Sequence, residues 1–259
     1  DKLIHKYAEQ DIRECYDEIA SLYEEKILFS PDDYEKYAKF TVASPIKAMC
    51  LHISHDCNLR CKCCFAATGD FGTGRKLMPL EVGKKAIDFL LENSGTRKNL
   101  ELDFFGGEPL MNFEVVKEIT AYCRSIEKEK GKNFRFTLTT NGVLLDDEVI
   151  DFANKECHNV VLSLDGRKEV HDRLRKSANG KGSYDLIVPK FRHFVERRGN
   201  KGYYIRGTFT HNNTDFTNDI FHMADLGFTE LSMEPVVCPS GDPYALTDED
   251  TKTVKDQYE

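Results

Sequence analysis

Six short apolar segments, separated by helical stretches of a dozen or more residues, constrain this chain more than any other feature. The segments fall near residues 47–54, 100–105, 134–140, 159–164, 203–210 and 229–237. Helical spacing occupies 79–94, 111–130, 146–156, 183–198 and 214–226, and a last helix starts near Thr247. A hairpin needs only a few linking residues. Connections of this length imply parallel strands joined by right-handed crossovers, an α/β fold.

The composition of the strands narrows the choice. A parallel strand buried on both faces reads as a continuous apolar run, yet each of these alternates. His52 and Ser54 alternate with Met49, Leu51 and Ile53, and Glu101 and Asp103 with Leu102 and Phe104. Thr137, Thr139 and Asn141 alternate with Phe136, Leu138 and Thr140; Ser163 and Asp165 with Leu162 and Leu164. Arg206, Thr208 and Thr210 alternate with Ile205 and Phe209; Glu230, Ser232 and Glu234 with Leu231 and Met233. If the apolar set packs on the helices, the polar set lines the inside of a curved sheet. Polar groups inside a sheet are costly unless they meet water or a polar ligand. The expectation is a partial (β/α)6 TIM-like barrel with a wet lumen and its site at the C-terminal ends of the strands. An open antiparallel sheet with one solvated face is the alternative, and the interposed helices disfavour it.

The 259 residues suit one large α/β domain with a small appendage. Hydrophobic content of 40% and charged content of 31% are those of a globular protein. A net charge of −8 argues against a nucleic-acid partner. No apolar run approaches the ~18 residues of a membrane span, and no signal peptide opens the chain. Four of the nine cysteines crowd into positions 57–64, which suits a reducing cytoplasm and a metal or cluster site rather than a disulfide framework. Residues 1–45 differ from the rest: Ile12, Cys15, Ile19, Leu22 and Tyr23 carry helical spacing, and Ser30-Pro31-Asp32-Asp33 starts another short helix. The last helix is expected to continue past Glu259, as in a truncated polypeptide.

The crowded cysteines stand directly after the first strand, as Cys57-x-x-x-Cys61-x-x-Cys64. Three thiolates on one short loop can hold three irons of a cubane cluster. Ordinary four-iron sites supply a fourth protein ligand, so a triad leaves one iron open to a small molecule. The alternative is a zinc-stabilised module, with Cys63, His52 or His55 as fourth ligand. Other unusual residues fall at the same rim. Phe105-Gly106-Gly107-Glu108-Pro109 follows the second strand, Thr139-Thr140-Asn141-Gly142 ends the third, and Ser163-Leu164-Asp165-Gly166 ends the fourth. Glycines without side chains let a backbone approach a ligand, their carbonyls accept from an amine, and Glu108 adds a charge-assisted partner. The plain alternative is a βα turn. Asp165-Gly166 with His171-Asp172-Arg173-Leu174-Arg175 reads as a polar latch or, more simply, as a loop cluster in which Asp172 pairs the arginines. Gly72-Thr73-Gly74 is too short to cradle phosphate and reads as a mobile loop. No GxxxxGK[ST], strand-following GxGxxG or GxSxG motif is present.

From about residue 46 the chain resembles the radical S-adenosylmethionine (SAM) superfamily, through the cysteine triad, GGEP, TNG and SLDG in that order. The SLDG…HDRLR pattern is similar to the peptide-modifying branch with C-terminal SPASM domains. Further likeness to maturases of SCIFF peptides, which form thioether links, is carried by Leu51-His52-Ile53-Ser54-His55-Asp56-Cys57, by Asp103-Phe104-Phe105-Gly106-Gly107-Glu108-Pro109-Leu110-Met111-Asn112-Phe113 and by Asn133 to Gly142. Arg206-Gly207-Thr208-Phe209-Thr210 and Met233-Glu234-Pro235-Val236-Val237 continue it.

The resemblance implies a [4Fe-4S] cluster on Cys57, Cys61 and Cys64. It implies SAM against Cys63, Gly106, Gly107, Glu108 and Pro109, with Thr139 and Asn141 at the ribose and Ser163 and Arg206 at the methionine carboxylate. For Arg206 the plain alternative is an ion pair with a lumen acid. The family's usual aromatic before the third cysteine is here Cys63, which leaves Cys63 as an alternative ligand, with the spacing in favour of Cys64.

The same likeness divides the chain into 1–45, the helical tail and linker of a precursor-recognition domain, and 46–259, a core ending before a SPASM domain with auxiliary [4Fe-4S] clusters. The implied activity is cysteine-to-threonine α-carbon thioether formation in a cysteine-rich precursor peptide, with flavodoxin or ferredoxin as reductant and neither nucleic acid nor membrane as partner. A maturase of the anaerobic sulfatase type and a non-catalytic zinc-stabilised peptide-binding module are the rival readings.

Overall fold

The computed structural model describes residues 4–30, 34 and 44–259. It divides into two compact units, Asp1–Ser44 and Pro45–Glu259. In the first, helix α1 (Glu9–Glu24) has no fully buried residue, and its apolar residues Tyr16, Ile19 and Tyr23 are exposed. The short helix expected at Ser30-Pro31-Asp32-Asp33 falls largely on residues outside those described.

The second unit is built on one seven-stranded sheet in the order β2-β1-β3-β4-β5-β6-β7. Its strands are β1 (Ala48–His55), β2 (Lys76–Leu77), β3 (Asn99–Gly106), β4 (Asn133–Thr140), β5 (Cys157–Ser163), β6 (Tyr204–Phe209) and β7 (Leu231–Pro235). All neighbouring pairs are parallel except the two-residue β2 against β1. The crossovers run through α2 (Leu80–Asn93), α3 (Phe113–Lys130), α4 (Asp147–Glu156), α6 (Tyr184–Arg198) and α7 (Thr217–Asp225). A short α5 (Lys168–Leu174) precedes α6, and α8 (Thr251–Tyr258) follows β7. Among the described residues β2 and β7 do not pair, so the barrel stays open. This is the expected partial (β/α)6 barrel.

The alternation of the strands becomes two faces. Leu100, Leu102 and Phe104 of β3, Phe134, Phe136 and Leu138 of β4, and Val160 and Leu162 of β5 are buried in the helix-covered core. Phe104 stacks on Phe136 at 5.5 Å between ring centroids. The intervening residues, Asp103, Thr137, Thr139, Asn159 and Ser163 among them, stay half-buried on the lumen side. Burial of the aliphatic and aromatic set supplies the main stabilisation, about 1.5–3 kcal/mol per large side chain.

Local signals set the helix ends. Asp146 caps α4 by accepting the Val149 N–H at 3.0 Å. Two elements were not foreseen. The β2 strand is too short to show a period. All but the last residue of the HDRLR stretch is helical in α5, its capacity for a helix masked by its charges. No described helix is long and apolar enough to cross a membrane.

Candidate cluster and cofactor site

The strands' C-terminal ends surround a cleft of about 540 Å³. Its lining includes Cys57, Cys61, Cys63, Cys64, Gly106, Gly107, Thr139, Asn141, Ser163 and Arg206. Five different strands thus deliver the expected residues to one place. Glu108 and Pro109 do not reach the lining.

The cysteine loop leaves β1 through a turn in which Ser54 Oγ donates to the Asp56 carbonyl at 3.0 Å. Cys57 is buried, and its Sγ accepts the Leu59 N–H at 3.3 Å and an Asn141 Nδ2 proton at 3.5 Å. Further along, Arg60 N–H donates to the Lys176 carbonyl at 2.6 Å and Lys62 N–H to the Leu174 carbonyl at 3.0 Å. The loop is therefore stitched to the segment after α5, not left free.

Backbone contact closes the loop's other side. Gly107 N–H donates to the Ser54 carbonyl at 2.8 Å and Glu108 N–H to the Asp56 carbonyl at 2.9 Å. A Cβ on Gly107 would stand 2.3 Å from the Asp56 carbonyl oxygen, so only glycine admits this approach. Gly69 does the same from behind: at φ +103° its added Cβ would meet Cys57 Cβ at 2.6 Å.

Glu108 departs from its expected role as an ammonium partner. It is fully buried, and its carboxylate is taken by the Leu110 N–H at 3.1 Å, the Thr140 hydroxyl at 2.8 Å and the Asn141 N–H at 2.8 Å. It ties the β3 loop to the end of β4. Burial pushes its carboxyl up to about 7, against the pull of those three donors. Pro109 is likewise buried, at the start of a 3₁₀ turn.

Asn141 lines the cleft with its carboxamide already engaged: Oδ1 accepts the Val143 N–H at 3.0 Å and Nδ2 donates to Asn58 Oδ1 at 2.8 Å. Ser163 and Arg206 are register partners on β5 and β6. Arg206 forms an ion pair with Glu234 on β7, the plain alternative raised from the sequence.

The acid that pairs Arg175 is Asp165, where the sequence suggested Asp172. Arg175 donates Nε to Asp165 Oδ2 at 2.7 Å and Nη2 to Oδ1 at 2.9 Å. Asp172 instead accepts the Tyr184 N–H at 2.9 Å, and Arg173 donates to the Asn212 carbonyl. Burial alone would raise the Asp165 carboxyl; the Arg175 guanidinium, with His171 and the Thr208 N–H, holds it below its ordinary value. His171, fully buried, is lowered by that burial to about 4. Arg175 lay within the stretch read from the sequence as a polar latch or a loop cluster, and only its partner differs. Gly69 was missed, because Cys57, which it packs against, lies 12 positions away and nothing local marks the contact.

These residues fit an iron–sulfur cubane. Three thiols share one loop, and Asn58 Nδ2 within that loop is buried without a hydrogen-bond partner, a donor suited to a sulfide. Among the described residues no three His, Cys, Asp or Glu side chains are grouped as one metal ion requires. A cubane instead spreads its ligands over separate irons. Burial pushes the Cys57 and Cys63 thiols up to about 12 and raises Cys61, so loading a metal releases protons.

Comparison with known proteins agrees with this geometry. The chain is 26% identical over 210 residues to the cysteine-type anaerobic sulfatase-maturating enzyme of Clostridium novyi, covering 77% of this chain and 55% of that one. It is 32% identical over 159 residues to the serine-type enzyme of Bacteroides thetaiotaomicron, covering 59% and 36%. The chain thus spans about half the length, or less, of these curated relatives. The solved structure of native anSMEcpe with bound AdoMet and Kp18Cys peptide shares the fold, with TM-score 0.73 and 22% identity over 83% of this chain and 59% of that one. The sequence profile of the Radical SAM superfamily matches residues 51–222. With two thirds of its length matched, the chain belongs to the radical SAM superfamily.

Proposed function

We propose that residues 46–259 form the core of a peptide maturase that links precursor cysteines to threonine α-carbons by thioether bonds, and that 1–45 belong to a precursor-recognition domain. The observation that supports it is the convergence of Cys57, Cys61 and Cys64 with Gly106, Gly107, Thr139, Ser163 and Arg206 on one cleft. In this reading the three thiols hold the [4Fe-4S] cluster. The Gly106 and Gly107 carbonyls accept from the SAM ammonium, Thr139 and Asn141 face the ribose, Cys63 stands beside SAM, and Ser163 and Arg206 hold the carboxylate. Glu108 and Pro109 act behind that wall. When bound, the cluster and SAM supply one electron and a 5′-deoxyadenosyl radical able to take a hydrogen atom. The chain's own residues orient SAM and keep water away.

A peptide substrate suits the exposed apolar lip of the cleft, Phe65 and Val237, and the peptide held by anSMEcpe. A sulfatase-maturing activity is the second reading, favoured by the names of the relatives. The full-length enzyme, reconstituted anaerobically and given a reductant such as flavodoxin or ferredoxin, decides between them. The expected result is deoxyadenosine formation and a cysteine-rich precursor lighter by two hydrogens per link. Deoxyadenosine with a formylglycine-containing sulfatase peptide supports the second reading. No deoxyadenosine, or a colourless zinc protein, overturns both.

A further inference from the structure

We propose that the Asp165–Arg175 ion pair is a positioning device: it clamps the cysteine loop and fixes a cation beside the thiols, so that it sets the ease of cluster reduction. The second half rests on the reading of Cys57, Cys61 and Cys64 as cluster ligands; the first half stands on the loop alone.

The two carbonyls flanking Arg175, those of Leu174 and Lys176, are the ones that accept from Lys62 and Arg60 of the cysteine loop. Leu59 bridges to Ser177 one step further on. The loop therefore lies as an extra antiparallel rung on 174–177. That segment is fixed by the two-pronged Arg175–Asp165 contact and by Ser183 Oγ, which donates to the Arg175 carbonyl at 2.8 Å. Asp165 is itself held at both ends. Its carboxylate accepts the Thr208 N–H at 3.1 Å, and its own N–H donates to His171 Nδ1 at 3.3 Å. The remaining His171 nitrogen meets Ser183 Oγ at 2.9 Å. β6 and α5 thus hold Asp165 through its carboxylate and its N–H, and the carboxylate grips Arg175, whose neighbouring carbonyls hold the cysteine loop.

A buried ion pair contributes little net stability over an apolar pair of the same size, so packing alone does not account for it. Arg175 lines the cleft with Cys61 and Cys63. A cluster on three thiolates becomes more negative on reduction, and a fixed, mostly buried cation beside it favours that state. Asp165, on the far side of Arg175, opposes it.

Hydrogen exchange on the metal-free protein tests the clamp. In Arg175→Met the amides of Arg60 and Lys62 exchange at least tenfold faster while those of β3 and β4 are unchanged; equal exchange in variant and wild type overturns the clamp. If Arg175→Met does not fold, Arg175→Lys decides, because it keeps the charge and loses the two-pronged grip.

A potentiometric titration of the reconstituted protein, followed by electron paramagnetic resonance, tests the cation. Arg175→Met makes one-electron reduction about tenfold less favourable, which is about 59 mV. Arg175→Lys stays within about threefold and Asp165→Asn moves the opposite way. Equal shifts for Met and Lys, or none, overturn the electrostatic half. A wild type that takes up no iron overturns the reading of the cysteines instead, and exchange still decides the clamp.

Discussion

Two buried carboxylates, after β3 and after β5, stand behind the residues that line the cleft, and they are held by opposite means. Glu108 and Asp165 are each wholly shielded from solvent at the end of a strand. Glu108 meets three neutral donors and no cation, and burial lifts it to about 7. Asp165 meets Arg175, and despite its burial it is held below its ordinary value. Neutral donors stabilise a carboxylate less than a fixed cation does, so the first side tolerates a proton and the second does not. The Glu108 side ties backbone to backbone, whereas the Asp165 side carries a fixed charge pair beside the thiols.

The largest expected contrast is in stability. Asp165→Asn leaves the Arg175 guanidinium half-stranded in the interior and costs about 3–5 kcal/mol. Glu108→Gln turns one amide donor against the Asn141 or Leu110 N–H and costs about 1–3 kcal/mol near neutral pH. Urea denaturation of both variants beside the wild type measures the difference; equal losses would erase the distinction.

The pH dependence sharpens it. Between its ordinary 4.5 and about 7, folded Glu108 binds more protons than the unfolded chain, so its contribution falls as pH rises through that window. His171 has the opposite sign. Its folded value of about 4 lies below the ordinary 6.5, so the unfolded chain binds more protons and stability rises with pH across that interval. Glu108→Gln therefore gains on the wild type by up to about 3 kcal/mol from pH 4.5 to 7. His171→Gln loses its deficit as pH falls from 6.5 towards 4. Denaturation midpoints across pH 4–8 check both signs.

A steric prediction follows in size. Gly69→Ala drives a methyl into Cys57 at a left-handed backbone position and costs about 1–3 kcal/mol. Iron bound per chain after reconstitution should fall with it, since the displaced atom belongs to a proposed ligand. Full iron loading with unchanged melting would show that the loop yields without consequence.

How much of this was legible depends on the range of each interaction. The barrel was readable because strand alternation is a local signal, and Leu102, Phe136 and Leu162 fell on the buried face it predicted. Much of the cleft's membership was readable because strand ends converge in any such barrel, though Glu108 and Pro109 fell behind the lining. The work of individual side chains was not. Glu108 reads as a ligand from its neighbours in the chain, yet Thr140 and Asn141, 32 and 33 positions away, take its oxygens. Asp172 stands closer to Arg175 in the chain than Asp165, but the α5 helix turns it toward Tyr184.

A third carboxylate completes the comparison at the smallest energy. Glu234 pairs with Arg206 on the cleft wall, and both side chains are about half exposed, 49% and 51%. Water screens such a pair, so Arg206→Ala should change stability by less than about 1 kcal/mol. In the proposed site the same guanidinium meets the SAM carboxylate, where a charge-assisted hydrogen bond contributes about 1.5–3 kcal/mol. The affinity for SAM, measured by calorimetry on the reconstituted protein, should then drop by about tenfold or more while the melting temperature barely moves. Glu234→Gln should leave SAM affinity equal or better, because it frees Arg206 from a competing acid. A loss of affinity in both variants would mean that the ion pair itself, and not the arginine alone, shapes the wall.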